Sequence, residues 1–147
     1  MIHRKLEDQI KSIKKIRVSH RIPQKDIARH GCTTIQTISK WESDNYMKVP
    51  VTQLINIMNY INSIVDIPEF KKAADDIVKI CQNLKRVRDI NHITQYDLAE
   101  ICGVTSQSVW RWENTHYQSI TFEHLISIIR YIESKNDKGS FTSTKTR

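Results

Sequence analysis

Only three cysteines occur in the 147 residues, Cys32, Cys81 and Cys102, and no two of them lie close together. An odd, scattered set excludes a disulfide framework and a zinc ribbon, and it points to a reducing compartment. No apolar run approaches the roughly 20 residues of a membrane-spanning helix. The charged start MIHRKLEDQ likewise lacks the apolar core of a secretory signal. The expected protein is soluble and cytoplasmic. No glycine-rich phosphate loop or nucleophile motif is present, and the six histidines show no ligand spacing. The sequence therefore predicts no catalytic residue, no metal and no cofactor, which is the profile of a protein that is not an enzyme.

What is abundant is positive charge. The net charge is +7 and the isoelectric point is near 9.4, a balance that favours a polyanionic partner. The chain also repeats itself: sliding it by 71 positions aligns both halves without a gap. Arg17 then meets Arg88, Gln24 meets Gln95, Asp26 meets Asp97, and Gln36 meets Gln107. Trp41-Glu42 falls on Trp112-Glu113, Tyr46 on Tyr117 and Leu54 on Leu125. Two unrelated amphipathic segments would match apolar positions but not polar ones in register, so the chain is two copies of one unit.

The unit is clearest over residues 94–114, TQYDLAEICGVTSQSVWRWEN. Thr94 suits a helix cap, with Asp97 three residues on, and Leu98, Ala99 and Ile101 give that helix a buried side. Gly103 tolerates the left-handed backbone of a sharp turn, and Thr105 caps the next helix. Val109 and Trp112 face inward there, which leaves Ser106, Gln107, Ser108, Trp110 and Arg111 outside. Small and amide side chains with a long cation suit the DNA major groove, where Gln pairs with adenine and Arg with guanine.

Arg88, Thr94, Gln95, Leu98, Ala99, Gly103, Val104, Thr105, Gln107, Ser108, Val109, Arg111, Trp112, Glu113 and Asn114, followed by Leu125, together resemble the Cro/phage-repressor (XRE) family of helix-turn-helix domains. The resemblance implies an all-α protein of two tandem four-helix domains, residues 1–66 and 67–134, joined by a short linker and a long helix. Residues 135–147 read as a disordered basic tail, either solubilising or attracting DNA. In the first copy the pattern places helices at residues 3–19, 26–30, 35–43 and 51–64, with a linker at 62–67. The second copy opens at Pro68 with a helix down to about Ile90, roughly 33 Å long. Its Phe70, Ala73, Ile77 and Cys81, set against Ile2, Leu6 and Ile10, predict a seam between the copies. The first copy departs from the family at its turn, HGCTT, where Cys32 takes the glycine position, and at Pro23, which cannot cap a helix as Thr94 does.

By resemblance, Arg17 with Glu42 and Arg88 with Glu113 form partly buried ion pairs, phosphate contact by the arginines being the alternative. Gln24 and Gln95 donate to DNA phosphate from the starts of their helices. Base reading falls to Ile35, Gln36, Thr37 and Lys40 in the first copy, and to Ser106, Gln107, Ser108 and Arg111 in the second. Lys48, Asn114 and His116 lie in the loops that approach phosphates. Trp110 is expected either on sugar or a thymine methyl, or against the other domain. The partner implied is double-stranded DNA, read in the major groove at two half-sites by a monomer with an internal pseudo-dimer and no membrane attachment. The expected role is a transcriptional repressor, of the kind common on mobile genetic elements. The alternatives are an accessory protein of a plasmid transfer or replication origin, and a protein-interaction module that has lost DNA binding.

Overall fold

Leu6, Ile10, Ile13 and Ile16 recur at helical spacing and do form helix, but in two pieces: α1 (Ile2–Lys11) and α2 (Ile13–Ser19). The break falls at Ser12, whose hydroxyl donates to the Gln9 carbonyl at 2.5 Å and so competes with the helical hydrogen bonds. The unbroken helix expected over 3–19 is corrected to that extent, and the first copy has five helices rather than four. In this computed structural model the described residues are 1–135. The remaining elements are α3 (Gln24–His30), α4 (Ile35–Ser43), α5 (Val51–Ile64), α6 (Pro68–Ile90), α7 (Gln95–Cys102), α8 (Ser106–Asn114) and α9 (Phe122–Ser134). No helix among the described residues is long and apolar enough to cross a membrane. The tail expected at 135–147 lies, from residue 136 onward, outside them.

Two local differences have clear causes. α3 starts at Gln24, two residues earlier than expected, because Pro23 sits in extended backbone and serves as its N-cap without a side-chain bond. α5 ends at Ile64 as expected, so the linker anticipated at 62–67 shortens to residues 65–67, among which Val65 is buried.

The two turns between the paired helices solve one problem differently. Gly103 ends α7 at φ +68, the left-handed conformation anticipated for it. In the first copy that conformation passes to Cys32, at φ +53, while Gly31 sits at φ −84. Gly31 is small for another reason: a Cβ there would lie 3.0 Å from Ile57 Cδ1. Gly103→Ala has open space around it, so its cost is backbone strain alone. We expect a loss of about 1 kcal/mol in a urea melt, the usual scale for an L-residue held left-handed.

The copies meet through a reciprocal set of backbone bonds. Pro50 and Thr121, 71 positions apart, form an isolated antiparallel bridge. Around it Val51 N donates to Ile120 O at 2.8 Å and Phe122 N to Val49 O at 2.9 Å. One step out, Thr52 N donates to Gln118 O at 3.1 Å and Glu123 N to Met47 O at 2.7 Å. Every bond is matched by its counterpart shifted by 71 in both partners, which is the signature of a two-fold, isologous contact. Helix packing follows the same axis. The equivalent helices α1 and α6 touch each other, and each also packs on the last helix of the opposite copy, α1 on α9 and α6 on α5.

Burial agrees with that exchange. Leu6, Ile10 and Ile13 are fully covered, as are their counterparts Ile77, Cys81 and Leu84, and all belong to one apolar cluster spanning both copies. The seam expected between the first helices is therefore part of a shared core. Symmetry fails at its rim. Glu133 caps the start of α1, accepting from Ile2 N at 3.0 Å and His3 N at 3.3 Å, and it pairs with His3 Nδ1 at 2.5 Å. At the equivalent place α6 runs on, Ala74 replaces His3, and Asn62 replaces Glu133.

Candidate nucleic-acid interface

Each pair of short helices is held at its base by a buried carboxylate. Arg17 Nε donates to Glu42 Oε2 at 2.6 Å and its Nη2 to Oε1 at 3.1 Å, while Nη1 reaches the Ile22 carbonyl at 3.0 Å. Arg88 repeats the fork on Glu113 at 2.6 and 3.1 Å, with Nη1 on the Ile93 carbonyl at 2.8 Å. The ion pairs that the resemblance implied are thus present, and both arginines point inward. Burial pushes the Glu113 carboxyl up. Hydrogen bonds from Arg88, Gln95 and Tyr117, with the Arg88 charge, outweigh it and leave the group below its ordinary value.

The same carboxylates collect two side chains that sequence reasoning placed differently or overlooked. Gln24 Nε2 donates to Glu42 Oε1 at 2.9 Å, and Gln95 Nε2 to Glu113 Oε1 at 2.7 Å. An amide nitrogen carries two hydrogens, and this bond uses one of them. Tyr46 and Tyr117 hydroxyls donate to Glu42 and Glu113 at 3.4 and 2.9 Å, and burial, followed by the adjacent carboxylate, pushes both phenols well up. Their signal was available: each tyrosine follows its glutamate by four residues in both copies. Reaching that position requires Asn45, Tyr46, His116 and Tyr117 all to take positive φ, in loops that contain no glycine.

Above this base the outer faces of α4 and α8 stand free. Thr34 and Thr105 cap them, accepting from Thr37 N and Ser108 N, each at 3.2 Å. The hydroxyls of Thr37 and Ser108 turn back to those caps at 3.1 and 3.2 Å. Gln36, Lys40, Ser106, Gln107 and Arg111 are exposed, and Ile35 is 45 % exposed. Gln107 and Arg111 are four apart and share a stripe. Arg111 Nη2 also donates to Ser108 Oγ at 3.4 Å, which draws the guanidinium along the helix. Lys48, Asn114 and His116 are exposed at or beyond the ends of the same helices.

The three tryptophans divide as their spacing suggested, with one adjustment. Trp41 is buried, whereas Trp112 is half-buried, 5.6 Å from the His124 ring and 6.5 Å from that of Tyr117. Trp110 stands 54 % exposed on the outer face. Tyr96, at the start of α7, is 62 % exposed and was not singled out from sequence. Among the described residues no group of three or more His, Cys, Asp or Glu side chains could hold a metal ion.

Comparison with known proteins fits this geometry. A family model described as helix-turn-helix matches residues 13–67 and again residues 84–135, well over half of the chain. Neither a curated protein nor a solved structure matches.

Proposed function

The chain belongs to the helix-turn-helix family, with two tandem DNA-binding units of the Cro/repressor (XRE) type, and from that premise we propose that it is a built-in dimer reading two related half-sites of duplex DNA as a transcriptional repressor. The observation that carries this reading is the reciprocal bridge about Pro50 and Thr121, since it relates the two units as a two-fold relates the subunits of a homodimer. Residues 1–66 and 67–134 are the two units. Each lays its outer helix in a major groove, with Gln36 and Gln107 on adenine and Lys40 and Arg111 on guanine or phosphate. Ile35 meets a thymine methyl where Ser106 does not, so the half-sites are similar but not identical. Thr37 and Ser108 keep the helix starts in order beneath them. The free N–H of Gln24 and of Gln95 donates to phosphate, and Lys48, Asn114 and His116 hold the backbone further along.

Charge divides the labour. Residues 1–66 carry 11 basic and 6 acidic side chains, net +5, against 12 and 10, net +2, for residues 67–147. The first copy supplies more phosphate grip and the second, with its better-capped helices, more of the specificity. A soluble monomer in the cytoplasm represses by occupying a site that another protein needs.

The test is binding of the purified chain to DNA selected from a random pool, with salt varied. Affinity is expected to fall with a log-log slope of about −0.9 per phosphate neutralised. Sedimentation is expected to find one chain on a minimal site of about 20 base pairs. A slope near zero would favour a protein-interaction module, and two chains per minimal site would overturn the built-in dimer.

A further inference from the structure

We propose that Trp110 gives the chain a fixed direction on its DNA, by packing on deoxyribose and a thymine methyl at the second half-site; this rests on the DNA-reading function above. A two-fold pseudo-dimer can sit on a near-palindromic site either way round, unless its two reading faces differ. Most equivalent positions differ little. Thr37 and Ser108 both return a hydroxyl to their caps, and Lys40 and Arg111 are both cations. The reading helices differ in apolar surface at two positions: Ile35 stands where the second copy has Ser106, and the much larger Trp110 stands where the first copy has Ser39.

The first copy shows where that position lies. Ser39 Oγ donates to Gln24 Oε1 at 3.3 Å, so the side chain sits beside the glutamine that opens the preceding helix. On α8, Trp110 follows Ser106 by four residues and precedes Asn114 by four, which puts it on one stripe with two candidate DNA contacts. Tyr96, next to Gln95, replaces Lys25 of the first copy. The second copy thus offers two aromatic side chains, 54 % and 62 % exposed, where the first offers a serine and a lysine. Tryptophan and tyrosine, each with an apolar body and a polar tip, are side chains enriched at interfaces. The surrounding Gln95, Gln107 and Arg111 are donors, and sugar and methyl groups are the apolar surface found among the acceptors that such donors meet. Ile35 makes the smaller apolar contact at the other half-site.

The full chain carries a convenient reporter. Cys32 is exposed in the turn of the first copy, whereas burial covers Cys81 and half-covers Cys102 and pushes their thiols up to about 12 and about 11. An iron chelate attached at Cys32 cuts DNA where the first copy lies. On a site whose half-sites are identical except for a thymine facing Trp110 that is kept in one and replaced in the other, the parent chain is expected to cut one half-site at least about fivefold more than the other, the usual scale for one mismatched base pair. Trp110→Ser, which copies Ser39, is expected to cut both within about twofold, and Trp110→Tyr to stay one-sided. One-sided cutting by Trp110→Ser, or two-sided cutting by the parent, overturns the proposal while leaving DNA reading intact. A parent chain with no selective DNA binding overturns both.

Discussion

Replacing Gln107 and Arg111 together by alanine is expected to reduce the preference for the selected site over random DNA by at least about thirtyfold. Each bidentate base pairing is worth about 1–3 kcal/mol, and a factor of ten corresponds to about 1.4 kcal/mol. Both side chains are exposed, so the loss is one of reading and not of folding. Thr105 still caps α8 through Ser108 N, and Val109 still anchors it in the core. Lys48→Ala provides the contrast, since a phosphate contact carries no sequence information: it should weaken specific and random binding alike. The measurement is competition binding of each variant against both kinds of DNA. A double variant that keeps its preference would show that the outer face of α8 does not read bases.

Removing Glu113 is the largest expected loss of stability. Glu113→Ala takes the buried carboxylate from the Arg88 guanidinium, whose side chain is 10 % exposed, leaving it only the exposed Asp89 carboxylate at 3.3 Å, and also strands the Gln95 amide and the Tyr117 hydroxyl. Stranding one partner of such a pair costs about 3–5 kcal/mol. The effect depends on pH in a defined sense. The Glu113 carboxyl lies below its ordinary value in the folded chain, so its stabilisation is fully present above the unfolded value, about 4.3. That stabilisation is lost as pH falls through the lower folded value. Urea melts of the parent and of Glu113→Gln should therefore diverge at pH 7 and converge below about pH 4. A difference that grows in acid would contradict the assignment.

Much of this architecture could be read before any coordinates. The 71-residue register was visible because Gln, Arg and Trp-Glu recur in phase, and the Thr94–Asp97 capping box and the Gly103 turn follow from local chemistry. The outer faces of α4 and α8 followed from helical spacing once Ile38 and Val109 were placed inside. What escaped were contacts made over long separations or by backbone. The bridge at Pro50 and Thr121 is built from the first amides of α5 and α9 and the carbonyls of the loops before them, backbone groups that leave no mark in side-chain identity. Glu133 reaches α1 across 131 positions, and no periodicity announces a cap supplied by another helix. The capture of Gln24 and Gln95 by buried glutamates depends on how two helices cross, which spacing along either one does not encode.

On the proposed reading of two half-sites by one chain, the joining of the copies would also set how occupancy responds to dose. Two separate subunits must find each other before they bind, so a site filled by their dimer fills with the square of a dilute protein's concentration. A chain whose halves are already joined has no such step. The second half-site is engaged at an effective concentration set by the molecule itself. Its titration curve is expected to be hyperbolic, with a Hill coefficient of about one, and dilution is not expected to dismantle the proposed reader. A repressor built in this way would act as a graded brake at low copy number, where one that must dimerise would act as a threshold.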